Sequence, residues 1–348
     1  MKQLMKNTFN NWAKVLIAGL LLAVALALGI PSLMGNQFIL NMVIMILLFA
    51  ALSSSWNIIG GMAGQLSLGH SSFFGIGAYA VVLMNIKLGV SPWLGLVGGV
   101  VLAVIASLII GFPCFRLRGP FFTLSTVAVG EVMRYMAINL TGLTYGSVGV
   151  SVPMEFSFSN LLFREKWVYL IIVVIFLGIV LFSVDRIKKS KLGYYLVAIR
   201  EDQDAAASLG IDATKAKLTS LAISAAFTSL GGSIYAQYLL YIDPSSVFSA
   251  DISRQMVVMA VVGGLGTKWG PLLGALLLVP LDQFIRAFFG GKVHGLNLII
   301  YAVILILVIL TIPQGIWPTI ESWFKKIDRK ALSKLPKNQA QKPGSEVR

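Results

Sequence analysis

The sequence predicts an all-α, polytopic membrane protein of about ten transmembrane helices, some of them broken or re-entrant. Three observations carry this. Several apolar runs in the 348-residue chain reach the ~20 residues that a helix needs to cross a bilayer. Only 12% of residues are charged, against about 25% in soluble domains, and mean hydropathy is +0.84. The runs are continuously apolar rather than alternating, which argues against a transmembrane β-barrel.

The first span is predicted over 13–30, ended by Pro31. The basic start and apolar run also suit a signal peptide, with Ala25-Leu26-Ala27 as its cleavage site. The run is long for such a segment and further spans follow at once, so an uncleaved helix is expected. The second span covers 38–59 and breaks at Gly60-Gly61-Met62-Ala63-Gly64; the third ends near Ile86. The fourth runs over 92–112, and a basic turn at 116–120 leads to the fifth, 121–140. The sixth is placed at 167–184 and the seventh at 218–241, closed by Asp243-Pro244. A short eighth, 252–262, is broken by Gly263-Gly264-Leu265-Gly266; the ninth begins at Pro271 and the tenth covers 296–312. Residues 1–317 thus form the transmembrane domain, and 318–348 a basic tail.

The net charge of +14 could suggest nucleic acid, but its placement points to topology. Of the 28 Lys and Arg, 20 fall in four segments: 2–14, 116–118, 185–217 and the tail after 318. Basic residues collect on the cytoplasmic side of membrane proteins. Ten crossings put both termini on that same side, so no nucleic-acid partner is expected and membrane lipid is. The single cysteine, Cys114, allows neither a disulfide framework nor a thiolate cluster. His70 and His294 lie too far apart to pattern a metal site, and no GxxxxGK[ST] phosphate loop occurs. The expectation is a chain that is no enzyme and holds no cofactor; any ATP and Mg would be used by another chain.

The longest polar interval is 185–217, with seven Lys or Arg and five Asp or Glu. Lipid cannot satisfy those charges, so the interval lies in water. Residues 194–209 lack Pro and Gly and are read as one helix, with Gly210 as a left-handed C-cap and Asp212 as the cap of the next. Arg200, Glu201, Asp202 and Asp204 precede Ala205-Ala206-Ala207. A helix end of small residues can enter a groove on a partner, with the charges fixing register; a solvated linker helix is the plainer reading. A helix held between two membrane spans is what a cytoplasmic partner would push.

The first break continues into Gln65, Ser67 and His70, one turn past Asn57. Broken backbone at membrane depth either is buried in protein or lines a wet cavity. These side chains suit a pathway wall or, equally, close helix packing with hydrogen bonds to freed carbonyls. Paired breaks also suit an internal repeat, though the two do not align. Glu131 and Asp282 are carboxylates inside apolar runs, each with an arginine on its own helix face, Arg134 and Arg286. No unpaired mid-span carboxylate is found, which counts against a proton-coupled carrier.

Five stretches, in order, resemble the LIV-type permeases of branched-chain amino acid ABC importers. They are GQLSLGHSSFFGIGAYA (64–80), RLRGPFFTLSTVAVGEVMR (116–134), LVAIREDQDAAASLGIDATKAK (196–217), DPSSVFSADIS with GGLGTKWGPLLGA (243–275), and IPQGI (312–316). Asp204-Ala205-Ala206-x3-Gly210 resembles the EAA coupling loop of such permeases, with Asp replacing Glu. Within the family the chain looks like the LivM-type subunit.

The resemblance implies the larger-pore importer architecture in a bacterial inner or plasma membrane, with cytoplasmic termini. It implies a LivH-like permease partner, two ATPase subunits and a periplasmic or lipid-anchored binding protein. ATPase coupling would then fall to Arg200, Asp204, Ala205, Ala206 and Gly210, and the pathway to Asn57, Gln65, Ser67, His70 and Glu131. Charge and side suggest Arg164, Lys166, Arg254 or Lys292 for outer-face docking. The family's TGG-type motif is replaced by Thr141-Gly142-Leu143-Thr144. Urea, short-amide and aromatic-acid importers share the architecture, so the solute stays open; an ion-coupled carrier and a membrane scaffold are the other classes.

Overall fold

The computed structural model describes residues 37–153, 156–289, 302–303, 306 and 310–323, the side chains of 286, 288 and 289 excepted. The expected first span, Lys292, His294 and most of the tenth span and tail lie outside these residues, as does the Arg286 side chain. Ten named helices follow in order: α1 Gln37–Asn57, α2 His70–Leu88, α3 Pro92–Cys114, α4 Pro120–Asn139 and α5 Lys166–Lys188. Two short polar helices come next, α6 Lys191–Glu201 and α7 Gln203–Ser208. The chain then re-enters the apolar body as α8 Ala213–Leu239, α9 Ala250–Gly263 and α10 Gly270–Phe289.

Among the described residues six helices are long and apolar enough to cross a membrane, α1 to α5 and α8. The count of ten is not reached: α9 has 14 residues, and the two terminal spans fall largely outside the described part. Local chemistry sets the helix ends. Pro92 and Pro120 occupy first-turn positions, where the missing N–H costs nothing. The Asp212 carboxylate accepts the Lys215 N–H (2.9 Å) and starts α8.

The centre of the fold is α8, packed along α2, α3 and α1. Apolar transfer drives no helix association in lipid, so contact must come from close packing and hydrogen bonds. Small residues supply it. A Cβ on Gly77 of α2 would stand 2.0 Å from the Ser229 carbonyl of α8, and the Ser233 hydroxyl donates to the Gly77 carbonyl (2.8 Å). By contrast, α4 exposes Phe121, Leu124, Val132 and Tyr135 along one stripe, so this face is left for lipid or another subunit. At one end β1 Val150–Ser151 pairs antiparallel with β2 Tyr241–Ile242, tying the α4–α5 connection to the end of α8. The opposite end gathers α6 and α7, the basic turn at 116–118 and both glycine breaks.

Candidate functional site

The first break is a change of helix type. After Asn57, α1 widens into a π-turn, Ile58–Met62, and Gly64 reverses the chain at φ +67°. The second break, after α9, uses Gly264 (φ +123°) and Gly266 (φ +70°). These breaks, about 200 residues apart in sequence, lie against each other. Asn57 Nδ2 donates to the Thr267 carbonyl (2.9 Å) and its Oδ1 accepts the Gly266 N–H (2.9 Å). A third segment closes on the same place: a Cβ on Gly264 would meet Pro318 Cδ at 2.7 Å, and one on Gly315 would meet Gly264 Cα at 2.5 Å.

The polar helices reach this junction through two basic side chains. Arg200 Nη1 donates to the Gly61 carbonyl (3.1 Å), and the Arg200 stem lies over Gly64, whose hypothetical Cβ would be 2.6 Å from Arg200 Cγ. Lys188, at the end of α5, donates to the Gly266 carbonyl (3.2 Å). One break is thus tied to α6 and the other to α5.

The expected single helix over 194–209 is corrected to two, α6 and α7. Asp202 leaves the helical region (φ −155°, ψ 114°), and its carboxylate accepts the Asp204 and Ala205 N–H groups (2.9 and 3.0 Å). An N-cap inside the run was a stronger local signal than the absence of Gly and Pro. The α7 terminus matches the expected cap. Gly210 has φ +84°, the Ile211 N–H reaches the Ala206 carbonyl (3.1 Å) and the Gly210 N–H the Ala207 carbonyl (2.9 Å), a Schellman pair. Ala206 is buried, whereas Ala205, Ala207 and Gly210 are exposed and Leu209 is 83% exposed.

Asp204 is held by a group that sequence reasoning placed only in a basic turn. The Arg118 guanidinium donates both Nη1 and Nη2 to its carboxylate (2.9 Å each). The hydrogen bonds and charge of Arg118 hold Asp204 below the ordinary Asp value of 3.8, and Asp204 raises Arg118 in turn. A depressed carboxylate pKa contributes at neutral pH and loses that contribution as pH falls through the folded value. The protection of the amides over 203–209, taken relative to intrinsic exchange at each pH, should therefore fall as the medium is acidified below about 3.8. Arg118→Ala should show that lowered protection already at pH 7, and protection indifferent to both changes would refute this role for the Arg118–Asp204 pair. Lys217, which sequence reasoning also missed, is 2% exposed and donates to Gln203 (2.6 Å), fastening α7 to α8.

Of the pathway candidates, Ser67 and His70 are brought together and buried. The Ser224 hydroxyl donates to the Ser55 carbonyl (2.7 Å), so it accepts from His70 Nε2 (2.9 Å), which places the proton on Nε2. In the neutral ring Nδ1 then accepts from Ser67 (3.1 Å). Trp56 Nε1 donates to the Ser67 carbonyl (2.7 Å). The imidazole thus joins the 65–69 segment and α2 to α8, and Ser224 carries the link on to α1. Gln65 is half-buried and bonds to the Ala63 carbonyl, and Glu131 on α4 pairs with Arg134 (2.7 Å).

Residues 38–310 match the family model described as branched-chain amino acid transport system, permease component. The chain belongs to this family. Similar relatives agree. The high-affinity branched-chain amino acid transport permease LivM of Salmonella typhimurium is 31% identical over 298 residues, covering 79% of this chain and 68% of that protein. LivM of Escherichia coli K12 is 30% identical over 295 residues, 78% and 68% of the two chains. The LivH permease of Escherichia coli K12 is 25% identical over 296 residues, 77% and 90%. Among these relatives this permease is nearer LivM than LivH, and it is a multi-pass membrane protein rather than an enzyme.

Proposed function

We propose that this chain forms half of the translocation path of an ATP-driven importer of Leu, Ile and Val in a bacterial inner or plasma membrane. Its partners are a LivH-like permease, two cytoplasmic ATPase subunits and a periplasmic or lipid-anchored binding protein. ATP and Mg bind to the ATPases, and this chain supplies no cofactor site. The α6–α7 unit and both termini face the cytoplasm. Support for the coupling role comes from one observation above all: Arg200, on the polar unit, hydrogen-bonds the backbone of the first break. A push on α7 would pass through α6 and Arg200 to 61–64, then through Asn57 to 266–267. Asp204, Ala205 and Gly210 form the contact surface, where the exposed Leu209 adds an apolar point, and the buried Ala206 packs beneath it rather than meeting the ATPase.

Gly210 tests this reading. No atom lies within 4 Å of a Cβ built there, so a side chain meets only backbone strain. A β-branched residue at positive φ costs about 1–3 kcal/mol, and Asn much less. Gly210→Val is expected to insert and pair with its permease partner yet to lose ATPase association, measured by co-purification from membranes. Gly210→Asn should retain it. Normal association and leucine uptake in the Val variant would refute the assignment.

A further inference from the structure

None of the five sequence-predicted pathway residues is among the described residues lining a cavity of about 820 Å³ among α1, α8, α9 and α10. Its floor is apolar: Met45 and Phe49 from α1, Met259 from α9, and Leu278 and Val279 from α10. Its rim carries Asp251 and Arg254 from the first turns of α9, and Asp282 from α10. Arg254 Nη2 and Asp251 Oδ1 are 2.9 Å apart, with side chains 58% and 62% exposed. Arg254 to Met259 is about 7.5 Å of helix rise, and Met259 to Gly263 about 6 Å more. The floor therefore lies between the charged rim and the second break, on the side away from α6 and α7.

We propose that this cavity is the solute site of the permease and that it takes a zwitterion with a branched aliphatic side chain. The inference rests on the importer reading above and places the solute in a different part of the chain. Arg254 and Asp251 pair with each other at the rim, and a zwitterion can exchange that exposed pair for its own carboxylate on Arg254 and its own ammonium on Asp251. A zwitterion satisfies both signs and leaves the net charge of the rim unchanged. The apolar floor then covers the aliphatic part, whose burial favours binding in proportion to area. An amine or an acid of the same skeleton replaces one half of the pair and leaves the other half to water, so it gains less than the zwitterion does.

The test uses the whole complex (both permeases, the ATPases and the binding protein) in proteoliposomes, with a diazirine analogue of L-leucine as probe. ATP-dependent import of the probe by the unmodified complex checks the importer reading separately; a complex that does not import it overturns both. In an importing complex, illumination is expected to label this chain within 255–259 or 278–283. Label confined to 57–70 or 131, or absent from this chain, overturns the site while leaving the importer reading intact. Arg254→Ala should cut labelling about tenfold, the loss of one charge-assisted hydrogen bond. Met259→Trp, which fills the floor and changes no charge, should abolish labelling and decides the matter should Arg254→Ala fail to assemble. Undiminished labelling in either variant overturns the proposal.

Discussion

A complex carrying Arg200→Ala is expected to hydrolyse ATP at a near-normal rate and to import little leucine. Arg200 sits on α6 rather than on the exposed α7 surface, so its loss should spare ATPase docking. What disappears is the link to the first break: the 3.1 Å hydrogen bond to the Gly61 carbonyl and the stem packed over Gly64. A hydrogen bond from a charged donor contributes about 1.5–3 kcal/mol, which as a coupling term corresponds to about 10- to 150-fold. The exposed pair with Glu201 (2.9 Å) adds little, because water and salt screen it. Arg200→Lys should recover only part of the loss, since an ammonium on a flexible stem lacks the planar fork that holds Gly61 and Glu201 together. The measurement is leucine accumulated per ATP hydrolysed in proteoliposomes. An unchanged ratio in Arg200→Ala would remove Arg200 from the transmission route.

The fold was legible in the sequence where apolar length alone decides. α1 to α5 and α8 begin and end within a few residues of the expected spans, because lipid demands continuous backbone pairing whatever the neighbours do. The glycine breaks were legible for the same reason. Their meeting was not. Nothing local to 57–64 states that Asn57 will bond to 266–267; a long-range pair of this kind is written only in the tertiary packing. Arg118 was visible as part of a basic cluster, and topology explained it sufficiently, so its grip on Asp204 carried no separate signal. The split of the polar helix was readable in principle: Asp202-Gln203-Asp204 offers a cap within a run that otherwise favours helix. His70 is the reverse case. Its residue type left pathway and packing equally open and carried no sign of its partners, the hydroxyl-linked contacts from Ser67 through Ser224 to Ser55, which come from three different elements.

That long-range junction yields the second large effect. Asn57 is fully buried and uses both ends of its amide across the two breaks. Asn57→Ala strands the Gly266 N–H and the Thr267 carbonyl together. Each orphaned group costs about 1–3 kcal/mol, so about 2–6 kcal/mol in total is expected, a large share of a marginal stability. Asn57→Asp keeps the acceptor for Gly266 but buries a carboxylate and loses the donor, and should be no milder. Gly61→Ala attacks the same contact by volume, because its Cβ would stand 1.9 Å from Asn57 Oδ1 and 2.4 Å from the Gly266 nitrogen. Both single variants should speed amide exchange over 263–269 and lower the melting temperature of the purified permease pair. In the double variant the Oδ1 clash no longer exists while the clash with Gly266 remains, so the combined loss should fall short of the sum. Additive losses, or exchange over 263–269 that neither substitution alters, would mean that the two breaks are held together by something other than this amide.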